Sequence, residues 1–118
     1  MKTSSRTLLL PVVIVLMLAA SAFQLIKTQL TITIRDEVGN VVQGATVQLY
    51  ETEEDYTKEV NAVAEGKTDA KGIVKFKELK ATSYFVIAKN DDKDNSGGGE
   101  RTGKLEANRV NKVTIVIQ

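Results

Sequence analysis

The sequence predicts an all-β protein: a small antiparallel two-layer sandwich with one short helical insertion, preceded by a signal peptide. Three observations carry this. Segments alternate apolar and polar residues with a period of two, which in a strand sends one set of side chains to a core and the other to solvent. Asp36–Leu49 (D-E-V-G-N-V-V-Q-G-A-T-V-Q-L) is echoed by Thr68–Phe76 (T-D-A-K-G-I-V-K-F), and in each a polar turn with a glycine hands the chain to an alternating strand. The chain has no cysteine, so a single hydrophobic core must hold the domain without disulfides.

In order from the amino terminus, Lys2 and Arg6 precede a nearly continuous apolar run, Leu8 to Ala20, and Ala20-Ser21-Ala22 supplies small residues of the kind signal peptidase cuts after. The expected division is a signal peptide over 1–22 and one domain over 23–118. An uncleaved signal anchor is the rival, although the apolar run is barely long enough to span and Gln24 and Lys27 follow it closely. Loss of Lys2 and Arg6 leaves fourteen basic and fifteen acidic residues, a net charge of −1. Such a balance gives no bulk attraction to nucleic acid or to an anionic membrane. Export places the product in a secreted or periplasmic setting, and the missing cysteine excludes a lipid anchor there.

The first strand is expected over Leu30–Arg35, with Leu30, Ile32 and Ile34 inward. Gly39-Asn40 then forms a tight turn that accepts positive φ, and Gly44 marks a bend before a second strand over Val42–Tyr50. Alternation stops at Glu51–Asn61, where Thr52 and Asp55 make a capping-box variant and acidic residues favour a helix start. Short strands are expected at Val63–Thr68 and Ile73–Lys77. Lys67, Lys71, Lys75, Lys77 and Lys80 cluster here, a common guard against edge-to-edge aggregation, with a polyanion site as the alternative. Tyr84–Lys89 is apolar on both faces, so Phe85 and Ile87 need cover. Val116 in the last strand (Arg109–Ile117) is expected to join the same outer patch. The helical insertion is the economical cover and a partner is the other, since monomers rarely leave large apolar patches open.

The motifs G-x-x-V-x-G-A-T-V-x-L, T-D-A-K-G-x-V-x-F-x-x-L and Y-F-V-I-A resemble the carboxypeptidase regulatory-like domain over roughly Leu30–Lys89. That resemblance implies a seven-stranded, prealbumin-like (Ig-like) sandwich, an architecture shared with collagen-adhesin B-type repeats. Val42 and Thr82 depart from the usual proline and glycine of the family and loosen two turns. The likeness to pilin-type repeats also raises an intramolecular Lys–Asn isopeptide bond. The lysine position of the first strand holds Arg35 here, Lys27 lies outside the strand, and Asn111 begins the last one, so the bond is not expected.

A catalytic apparatus is hard to assemble from this inventory. No histidine is present to act as an imidazole base, and no cysteine to act as a thiol nucleophile. Ser83 and Ser96 are the serines left after cleavage, neither in a nucleophile elbow. Asp91, Asp92 and Asp94 sit in a glycine-rich stretch ill suited to positioning catalytic groups. The expectation is a non-enzymatic module without a cofactor, which binds an unknown protein or glycan in the cell envelope or serves a structural role. One alternative has chemical content: Asp92, Asp94, Ser96 and Glu100 are spaced like the start of a calcium loop, with Gly97 at the turn. Gly103 stands where the bidentate carboxylate belongs, so the pattern is incomplete.

Overall fold

The computed structural model describes residues 27–118; the signal peptide expected over 1–22 lies outside these. Strands β1 (Thr28–Asp36), β2 (Thr46–Tyr50), β3 (Ala64–Lys67), β4 (Ile73–Leu79), β5 (Phe85–Asn90), β6 (Lys93–Asp94) and β7 (Val110–Ile117) surround one helix, α1 (Glu53–Lys58). They form a three-stranded sheet, β4-β1-β7, packed on a four-stranded sheet, β3-β2-β5-β6. Between the layers lie Leu30, Ile32 and Ile34 of β1, Val47 and Leu49 of β2, Val74 and Phe76 of β4, Val86 and Ala88 of β5, and Ile115 and Ile117 of β7. These are the inward positions that the alternation assigns. Each large apolar side chain so buried contributes about 1.5–3 kcal/mol.

The two turn-and-strand motifs meet in space. Thr68, itself buried, donates its hydroxyl to the Val42 carbonyl (2.6 Å) and accepts the Ala45 N–H (2.9 Å). Asp69 closes the second turn by accepting the N–H groups of Lys71 and Ile73, which hold its carboxyl below the usual range. Gly72 then runs against the first motif, its carbonyl accepting the Ile34 N–H at 2.8 Å. A Cβ on Gly72 would sit 2.8 Å from the Ile34 oxygen and 2.9 Å from Val41 Cβ, and its φ is +74°. This glycine is fixed by both space and backbone conformation.

Several expectations need correction. The sandwich is not antiparallel throughout: β7 runs parallel to β1 from Gln29↔Val110 to Asp36↔Ile117. The reason is where the chain enters the sheet. Thr28 accepts the Asn108 N–H, Gln29 donates to the Arg109 carbonyl, and Asn111 donates to the Gln29 carbonyl, so β7 starts where β1 starts. The second strand begins at Thr46 rather than Val42, because Gly44 at φ +78° redirects the chain first. Ahead of β7, Arg101 makes one isolated bridge to Phe85, and Leu105 is buried as an anchor. Lys93–Asp94, expected to be loop, is paired with β5.

Candidate functional site

The outer face of the four-stranded sheet is built around Phe85. The insertion between β2 and β3 forms α1 because Thr52 caps it, accepting the Asp55 N–H at 3.1 Å, and because Glu59 ends it in the left-handed region at φ 52°. This geometry points Tyr56 down onto the sheet. Its ring stacks on Phe85 (centroids 5.4 Å apart, 27° between planes) and meets Tyr50 edge-on at 6.2 Å. Arg101 lies over Phe85 at 5.1 Å, a cation–π contact. Ile87 is buried beside them, and Lys89 reaches the α1 terminus through a 2.6 Å bond to Glu59. Burial pushes the Tyr50 and Tyr56 hydroxyls up, helped by Glu59 at the first and Glu100 at the second. The Glu59 bond raises Lys89. Phe85 and Ile87 are therefore covered by the chain itself. Val116 does not belong with them: it lies on β7 in the other sheet, outward and about half exposed.

The stretch Asn90–Gly103 is a strap along the edge of β5, and its organiser is Asn95. The backbone of β6 pairs with Lys89 and Asn90, and further on Glu100 accepts the Val86 N–H while Thr102 donates to the Tyr84 carbonyl. Between these pairings the chain bulges out through Ser96–Gly99. The buried Asn95 amide fills the gap, accepting the Ala88 N–H (3.0 Å) and donating to the Val86 carbonyl (2.9 Å). One side chain thus stands in for a missing stretch of ladder. Thr102, also buried, accepts the Tyr84 N–H at 2.9 Å. Nothing local in the sequence marks Asn95, because an asparagine among aspartates and glycines looks like any loop residue.

This arrangement separates the four candidate metal ligands. Asp92 lines a cleft of about 340 Å³ at the end of the sandwich with Asp36 and Asp91. Asp94 and Ser96 border another, of about 270 Å³, beside Tyr56 and Lys89. Asp94 accepts the Ser96 N–H (2.9 Å), which lowers its pKa, and Glu100 accepts the Gly97 N–H (2.6 Å). Among the described residues, no group of three or more acidic side chains is placed to hold a metal ion. Asn111, the candidate isopeptide residue, donates its amide to Gln29, Glu106 and Arg109 carbonyls and accepts the Glu106 N–H. It organises the turn into β7.

The outer face of the three-stranded sheet differs in kind. Its outward positions are Gln29, Thr31, Thr33 and Arg35 on β1, Ile73, Lys75 and Lys77 on β4, and Val110, Lys112, Thr114 and Val116 on β7. The register sets Lys75, Thr31 and Lys112 in one row and Ile73, Thr33 and Thr114 in the next. Four cations share this face, and none of these positions is acidic.

No protein-family profile matches the chain, and no characterised protein matches its sequence. Solved structures do match the fold. The TIE protein of Bacillus anthracis aligns with a TM-score of 0.55 at 22% identity, covering 78% of this chain and 17% of that one. BcpA, the major pilin subunit of Bacillus cereus, gives a TM-score of 0.55 at 17% identity over 78% of this chain and 30% of that one. The group B streptococcus pilus 2b backbone protein gives 0.50 at 17% identity over 76% and 40%. This chain spans less than half the length of each. At such identities the likeness shows a fold: the β-sandwich of pilin subunits. The likeness to the carboxypeptidase regulatory-like domain rests on the sequence motifs.

Proposed function

We propose that this chain is an exported, non-catalytic module of the cell envelope, structural or adhesive, that binds an anionic protein or glycan. Its binding face is the outer face of the three-stranded sheet. The observation that carries this reading is the segregation of Arg35, Lys75, Lys77 and Lys112 among threonines on three adjacent strands with no acid between them. Rows across the sheet place Lys75 and Lys112 about 10 Å apart, two strand spacings, while threonine hydroxyls between them offer donors and acceptors. A partner with repeating negative charge suits that spacing. The fold shared with pilin subunits supports a structural or adhesive role, and the strap supports a non-catalytic one, since its polar groups serve the backbone.

The test is retention of the mature protein on immobilised polyglutamate and on a sulfated polysaccharide, with neutral dextran as control. Salt-sensitive retention on a polyanion, lost in Lys75→Glu/Lys112→Glu, is the expected result. A protein that passes straight through both polyanions, or whose charge-reversed variant binds equally well, contradicts the proposal.

A further inference from the structure

We infer that β7 is a self-pairing edge, through which two copies of this chain join antiparallel with Val110 of one opposite Val116 of the other. The three-stranded sheet ends at β7, so one side of that strand has no neighbouring strand among the described residues. Two sets of hydrogen bonds show which residues face that side. Gln29 donates to the Arg109 carbonyl, so odd-numbered residues of β7 turn their backbone groups to β1. Gln118 exchanges bonds with Asp94 on the opposite side (3.0 and 3.3 Å), so even-numbered residues turn theirs outward. Val110, Lys112, Thr114 and Val116 therefore present N–H and C=O groups to the open edge, and Asp94 closes the row at Gln118.

That row is symmetric about Val113. An antiparallel copy centred there pairs each outward residue with one partner: Val110 with Val116, and Lys112 with Thr114. The two exposed valines of β7, 49% and 47% accessible, thus cover each other, and no like charges face across the dyad. Centring on Thr114 instead would set Val110 against Gln118, which Asp94 already occupies. The opposite edge, β4, lacks this property: a pairing centred on Lys75 or Phe76 sets lysine against lysine, and the ladder is bulged between Thr28 and Leu30. Beside β7 a groove of about 210 Å³ separates the strap from the strand, with Gly99, Arg101, Thr102 and Gly103 on one wall and Val113, Thr114 and Ile115 on the other. The inference does not depend on the proposed polyanion binding.

The absence of cysteine allows a direct test. Val113→Cys places one thiol on the dyad, in a non-hydrogen-bonded pair with Cα atoms about 4.5 Å apart, within the reach of a disulfide. Mild oxidation of the mature protein should yield a disulfide dimer from Val113→Cys and none from Thr31→Cys. Sedimentation equilibrium of the unsubstituted protein should show a reversible dimer, and Thr114→Pro should abolish it with an unchanged circular-dichroism spectrum, because that N–H points away from β1. A monomer at every concentration, a dimer that survives Thr114→Pro, or a dimer that Val113→Cys fails to cross-link overturns the inference.

Discussion

The outer face of the four-stranded sheet carries Phe85, Ile87 and Tyr50 beneath a six-residue helix, whereas that of the three-stranded sheet carries mostly threonines and cations, with Ile73, Val110 and Val116 among them, beneath nothing else described. Both faces belong to the same sandwich and obey the same alternation. They differ in what the alternation puts outward. Where the outward set is apolar, the chain inserts a helix to cover it, and the face becomes a second core. Where the outward set is polar and cationic, the face stays open and is available to a partner. A sandwich of this size can thus spend one side on stability and keep the other for recognition.

Substitutions sharpen that contrast. The largest effect is expected from Phe85→Thr combined with Ile87→Thr, which removes the floor on which α1 rests. Urea unfolding should show a loss of about 3 kcal/mol or more, as for other buried apolar truncations, and a loss under half a kilocalorie would make that face a free surface. Gly72→Ala should cost about 2–3 kcal/mol, combining a strained positive φ with a clash against the Ile34 carbonyl. Asn95→Ala leaves the Val86 carbonyl and the Ala88 N–H without partners, at about 1–3 kcal/mol. Hydrogen exchange should then show the Ala88 amide losing protection first. On the open face, Lys75→Glu with Lys112→Glu should shift stability by no more than about 0.5 kcal/mol while removing polyanion retention.

The pH dependence separates the helix-covered face from the turn before β4 and the strap. Asp69 and Asp94 have lowered folded pKa values, so their stabilisation is present above the unfolded carboxylate value near 4 and is lost as pH falls through the folded values. That acid limb belongs to the turn before β4 and to the strap. Lys89, Tyr50 and Tyr56 have raised values, so their stabilisation is complete below about pH 10 and is lost as pH rises through the folded values. Tyr56 belongs to α1, and Tyr50 and Lys89 lie under or beside it, so the alkaline limb reports release of the helix. Tyr56→Phe should shrink that limb and leave the acid limb unchanged in melts across pH. Calcium titration is the smallest effect expected, with no shift in melting temperature, because Asp94 and Glu100 already serve backbone N–H groups.

Strands of period two were readable because Leu30, Ile32 and Ile34, or Val47 and Leu49, declare their face by alternation alone. The capped helix was readable for a similarly local reason, since Thr52 and Asp55 sit three apart. What failed was whatever depends on which strand lies next to which. Val116 was assigned the correct outward direction but the wrong sheet, and the parallel β1–β7 pair follows from how Asn108 and Asn111 dock, which no local pattern encodes. Tyr50 belongs to the outward set of β2 yet is fully buried, because Tyr56 arrives from outside the strand. Asn95 was the deepest miss. Its role depends on a gap in the ladder that exists only once the strap has folded against β5.

The central claim is that α1 closes the apolar outer face by packing Tyr56 on Phe85. A double-mutant cycle of Tyr56→Ala and Phe85→Ala, read by urea unfolding of the protein, measures that contact. Coupling of about 0.5–1.5 kcal/mol is the predicted result. Additive losses with no coupling would mean that the helix does not rest on the sheet, and the contrast between a covered and an open face would fall with it.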